Sequence, residues 1–176
     1  STMRDPAAGL LRVARGGPAK TAGILEDFAF LIDGLLALHE ASANDRALPA
    51  ARALIERAGR DFGRGGGGYF DTRADQSDLF VRAQSTHDGA VPSGSSVMLH
   101  NLLHAYRITG EPEYLDNAVN ALGAASPAIA ASPLAAANAT RALLRVMGLE
   151  REIKGHLAAL GPATPAQGEP RRDFTP

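Results

Sequence analysis

The feature that most constrains this chain is a repeated layout. At a constant offset of 67, Leu35, Leu36, Leu48 and Ala51 fall on Leu102, Leu103, Leu115 and Ala118, and His39 falls on Tyr106. In the same frame Ala43-Asn44-Asp45 meets Gly110-Glu111-Pro112, so each copy holds two apolar-periodic stretches around a short turn. Such periodicity marks stacked helical units, none of which can bury its apolar face alone. In the first copy Ile24, Phe28, Leu31, Ile32, Leu35, Leu36 and His39 recur at helical spacing, as do Leu48, Ala51, Leu54, Ile55, Ala58 and Phe62. Two helices joined by a short link form an antiparallel hairpin.

The second copy predicts a helix over Ser93–Thr109, stopped by Gly110, and another from Pro112 to a break at Ser126-Pro127. A third pair is expected from Ser132, a capping residue, with one helix ending at Gly148 and another running from Leu149 to Leu160. The expected fold is therefore all-α, three helical hairpins. Between the first two copies, the four glycines Gly65–Gly68 cannot hold a helix, and short YFDT and LFVR segments predict a small β-hairpin excursion near residues 64–83. Residues 1–23 read as a lead-in, 24–160 as the helical domain, and the Pro/Gly-rich 161–176 as a disordered tail.

Composition narrows the function classes. Eighteen basic against 19 acidic residues give a formal net charge of −1, which offers no field for nucleic acid or an anionic membrane. No cysteine is present, so disulfides, thiolate nucleophiles and thiolate zinc sites are excluded. The apolar run Leu35–Leu38 is far too short to cross a bilayer, and a cytoplasmic protein is expected. No cofactor or metal is called for.

Polar residues on the second faces of the helices are the candidate ligands. On the first helix Glu26, Phe30 and Asp33 face away from the core, as a cavity wall or as a solvent face. Glu26 and Asp33 stand seven residues apart, roughly 10 Å at about 1.5 Å per residue, against about 5 to 9.5 Å for a glycosidic acid–base pair. On the later helix Leu99, Leu102, Leu103 and Tyr106 form the core stripe, while Ser93, Val97, His100, Asn101 and His104 are expected on the other face, suited to sugar hydroxyls. His100 and His104 have the i, i+4 spacing of a metal pair, but Asn101 stands where an HExxH site needs Glu, and a plain surface pair is the simpler reading. In the loop before this helix His87 could move a proton and Asp88 orient it; alternatively, Asp88 and Ser93 satisfy loop backbone and cap the helix. His87, Asp88 and Glu26 are thus the catalytic candidates, and no reaction is specified.

The blocks LEDFAFLIDGLLALHEAS, GGYFDT, Arg82 and DGAVPSGSSV, with Tyr106 and Thr109-Gly110 behind them, resemble the toroid region of the spermatogenesis-associated thioredoxin-like proteins and their bacterial relatives. The resemblance runs from about Leu10 to Ala130. It implies part of an (α/α)6 toroid of the six-hairpin-glycosidase type, similar to sugar epimerases, here without the thioredoxin-like domain and the first hairpins of the ring. It also adds Tyr69 and Arg82 to the ligand-binding candidates. The chain has His87 and Ser95 where the family usually carries Tyr and Asn, and it matches weakly after Pro127. Two functions follow: a toroid that binds or processes a sugar-like small molecule, or a noncatalytic helical interaction domain or fragment of a larger thioredoxin-domain protein. Either way half a ring should associate, as a homodimer or with the rest of the toroid. A closed acidic pocket holding both His87 and Glu26 would favour the first function, and an open surface with the two apart would favour the second.

Overall fold

The computed structural model describes residues 4–5, 9–13, 21–42, 45–75 and 81–160, with side chains to Arg151; the expected tail, 161–176, lies outside the described residues. Three short strands, β1 (Arg4–Asp5), β2 (Gly9–Val13) and β3 (Thr21–Ala22), precede five helices: α1 (Leu25–Ser42), α2 (Ala47–Phe62), α3 (Gly94–Thr109), α4 (Pro112–Ala131) and α5 (Ala137–Leu160). The fold is mostly α with a small antiparallel β element, in which β2 is central and pairs Arg4 with Leu10 and Leu11 with Ala22.

That β element lies in the lead-in; of the hairpin expected near residues 64–83, residues 76–80, with half of the LFVR segment, lie outside the described residues. There the described residues form one bridge, Gly63 to Tyr69, and two further backbone bonds, Phe70 N to Phe62 O and Asp71 N to Ala83 O. Three glycines in a row at positive φ, Gly66–Gly68, curl the segment, and a Cβ at Gly67 would meet the Asn120 carbonyl at 2.4 Å. The glycine turn therefore packs onto α4.

Helix α1 starts with Asp27 reaching back to the Ile24 N–H at 2.9 Å, half of a capping box. It buries Leu25, Phe28, Ala29, Ile32 and Leu36, and α2 answers with Ala51, Leu54, Ile55, Ala58 and Phe62. Phe28 and Phe62 meet edge to face at 5.1 Å. Helix α3 is the hub, packed against α1, α4 and α5. Its pairs with α1 run in parallel: Gly94 beside Glu26, Asn101 on Ala29, Arg107 on Glu40. The last pair is separated by 67 residues, the offset of the sequence repeat, while Asn101 and Ala29 are 72 apart, so equivalent helices lie side by side without a fixed residue-to-residue register. Helix α5 lies along the other flank of α3, so α1, α3 and α5 form one layer and α2 and α4 a second.

Two expected boundaries are absent. Helix α4 runs through Ser126-Pro127 to Ala131. Proline removes one helical hydrogen bond, but Pro127 is on the exposed side while Ala125, Ala128 and Ile129 pack inward and hold the turn. The expected third hairpin is a single helix, because a lone Gly148 costs about 1 kcal/mol in a helix interior and supplies no turn.

Candidate functional site

The loop from His87 to Ser93 ties the layer together. Asp88 Oδ1 accepts the Ser93 N–H at 3.0 Å, its Oδ2 accepts the Asn138 N–H in the first turn of α5 at 2.8 Å, and its own N–H donates to the Ala135 carbonyl. One carboxylate thus fixes the starts of two helices. Ser93, buried, caps α3 by accepting the Ser96 N–H. His87 is exposed.

On α3 the two histidines face different neighbours. His100 Nε2 donates to the Asn138 carbonyl at 2.9 Å, which leaves Nδ1 unprotonated to accept from Arg145 at 3.2 Å. Burial holds its pKa below the usual histidine value, opposed by the Asn138 carbonyl and reinforced by the Arg145 charge. His104 Nε2 donates to Glu40 Oε2 at 2.8 Å, and Arg107 pairs with the other carboxylate oxygen. The hydrogen bond from His104 is the main cause that lowers the Glu40 pKa. The i, i+4 pair therefore bridges α5 on one side and α1 on the other. Among the described residues no group of three or more His, Asp or Glu side chains could hold a metal.

Asn101 is fully buried between α1 and α3, where its Nδ2 donates to the Ala29 carbonyl at 2.8 Å. Val97 and Ser93 are buried as well. The expected polar second face of α3 is therefore mostly interior, since α1 and α5 cover both flanks of this helix. Arg82 is likewise committed to the protein: it donates to the Thr72 and Asp61 carbonyls at 3.0 and 3.2 Å and stacks 4.1 Å over the Phe70 ring. Tyr69 is buried, which pushes its pKa up to about 12.

The layer's remaining side carries Phe30, 40% exposed, with Asp33 one turn further along α1, and the negative charge of Asp33 acts on His100. Phe30 and Asp33 are both exposed on α1, and His100 is bonded to Arg145. Glu26 sits against Gly94, at the start of α3, and the His87 loop is bound through Asp88 to the starts of both α3 and α5. Neither residue lines any of four surface depressions: a small cavity of about 10 Å³ under the loop at Ser95 and Tyr69, the α4–α5 and α2–α4 grooves, and the α3–α5 groove. The first holds no more than a water. Sequence reasoning did not single out Glu40, Asn138 or Arg145. The 67-residue offset could have flagged Glu40 against Arg107, whereas nothing local marks the other two.

The fold is thus a two-layer helical unit with apolar edges and dispersed polar residues. No family model matches the chain. It is homologous to proteins named spermatogenesis-associated protein 20: it is 38% identical to the human protein over 152 residues, 80% of this chain and 19% of that protein. The rat protein is 40% identical over 123 residues, covering 69% of this chain and 16% of its own length. An uncharacterized protein of Caenorhabditis elegans is 34% identical over 110 residues, 62% of this chain and 15% of that protein. The chain therefore spans less than a fifth of these relatives. No helix among the described residues is long and apolar enough to cross a membrane.

Proposed function

We propose that this chain is a noncatalytic helical interaction unit, one arc of a larger α/α assembly of the kind its relatives' extra length accommodates. The observation that carries this is the pair of apolar edges on the inner layer. Leu31 and Leu38 are exposed along α1, and Leu144 and Met147 along α5. In a stack of repeats these are the positions that a preceding and a following helix would cover. The parallel order α1, α3, α5, backed by α2 and α4, supports an arc of an (α/α)6 ring. In the whole protein such a ring would accompany the thioredoxin-like domain implied by the resemblance. The test is binding of an apolar fluorescent dye to the chain and to its Leu31→Lys/Leu38→Lys variant. Strong binding that the variant loses at an unchanged melting temperature is expected, and weak, equal binding would count against the reading.

A second reading, sugar binding, is favoured by one observation: Phe30 and Asp33 are exposed one turn apart on α1, where a pyranose could stack on the ring and bond to the acid. Amide shifts at these residues on titration with simple sugars would support it. Shifts confined elsewhere, or none, would remove it.

A further inference from the structure

Between α3 and the middle of α5 lies an open groove of about 450 Å³, floored by Leu103, Tyr106 and Leu149 and rimmed by His104, Arg107 and Arg145. Its size falls in the range of small-molecule sites, about 300–1,000 Å³. No carboxylate contributes to the lining. Glu40, beside it, is shared between His104 and Arg107, whereas the hydrogen bond of Arg145 among the described residues goes to the neutral Nδ1 of His100. Among the described residues Arg145 forms no ion pair, so the groove presents a guanidinium charge without a counter-ion next to a strip of apolar surface. The α5 wall is low because Gly148 has no side chain, and a Cβ built there would meet nothing within 4 Å.

We infer that this groove binds a small apolar monocarboxylate, its hydrocarbon body on Leu103, Tyr106 and Leu149 and its carboxylate on Arg145 with Arg107 beside it. The guanidinium fork matches a carboxylate in two parallel N–H···O bonds. One charge is the right number, because Arg107 is already half-satisfied by Glu40. An anion without an apolar body would leave the floor uncovered, and a neutral body would leave Arg145 unpaired.

Octanoate is the probe, with octanamide as the same body without charge and acetate as the charge without body. Calorimetry should give octanoate at least about tenfold tighter binding than either control, the weight of one charge-assisted contact. Octanoate should also shift the amides of Leu103, Arg145 and Gly148. Gly148→Leu, which fills the open wall and favours the helix, should abolish binding without lowering the melting temperature. Arg145→Gln should bring octanoate down to the level of octanamide, which keeps the test decisive if the leucine variant folds poorly. Equal affinity for octanoate and octanamide, shifts mapping outside the groove, no octanoate binding, or a folded Gly148→Leu protein that still binds would each overturn the assignment.

Discussion

At the scale of residues, the polar side chains that look most like chemistry in the sequence mainly hold helices in place. Asp88 accepts backbone N–H groups from the starts of α3 and α5 at once. Asp88→Ala should therefore cost about 1–3 kcal/mol in urea unfolding, more than Ser93→Ala at about 1 kcal/mol. Asn101 offers a sharper contrast: its Oδ1 is buried without a protein partner, and its Nδ2 adds a bond to a carbonyl that lies inside α1. Asn101→Leu should leave stability within about 1 kcal/mol of the parent, since it removes an unsatisfied buried group along with the bond it breaks. A loss well above that would show the amide bond to be a principal tie between the helices. His100 carries a pH signature. Burial depresses its folded pKa below 6.5, so the unfolded chain takes up the proton first as pH falls. Stability should be full above about pH 6.5 and decline below it, and His100→Gln should flatten that decline in unfolding curves collected between pH 7 and pH 5. The caps at Ser93 and Gly110 were legible because their chemistry is local. The partners of His100 and His104 were not, because they come from α5 and α1.

At the scale of elements, apolar periodicity located α1, α2 and α3 to within a residue or two, and its limits appear where single residues were given too much weight. Pro127 was expected to end α4 and Gly148 to divide α5, yet inward-facing alanines and leucines on the same turns keep both helices continuous. Each should then be a point of local weakness. Pro127→Ala restores a helical N–H and should stabilise the protein by about 1–3 kcal/mol, and Gly148→Ala by up to about 1 kcal/mol. Thermal melts of the two variants check this directly, and a destabilised Pro127→Ala would mean that the proline sets a bend the packing needs. The small hairpin expected near residues 64–83 falls partly on residues 76–80, outside the described residues. Ahead of YFDT, three consecutive positive φ values at Gly66–Gly68 fold the glycine run against α4. The lead-in, short of strong strand signals, supplies the strands found among the described residues.

At the scale of the whole molecule, the repeat was the most informative signal. The helices at equivalent places in the two copies, α1 and α3, lie side by side in parallel, with Arg107 on Glu40. Among the described residues the layer ends on α1 and on α5, and both ends carry exposed apolar side chains, Leu31 and Leu38 on one and Leu144 and Met147 on the other. Nothing local in the sequence separates an exposed leucine from a core one, which is why the edges emerge only from the packed layer. Homology to less than a fifth of much longer relatives agrees with a unit that works beside further structure. The central claim, that these edges are interaction surfaces, is tested most directly by sedimentation velocity over a wide concentration range, comparing the chain with Leu31→Lys/Leu38→Lys and Leu144→Lys/Met147→Lys. Reversible self-association that either edge variant weakens, with the melting temperature preserved, is the predicted result. A monomer at every concentration, unchanged by either pair of lysines, would contradict it.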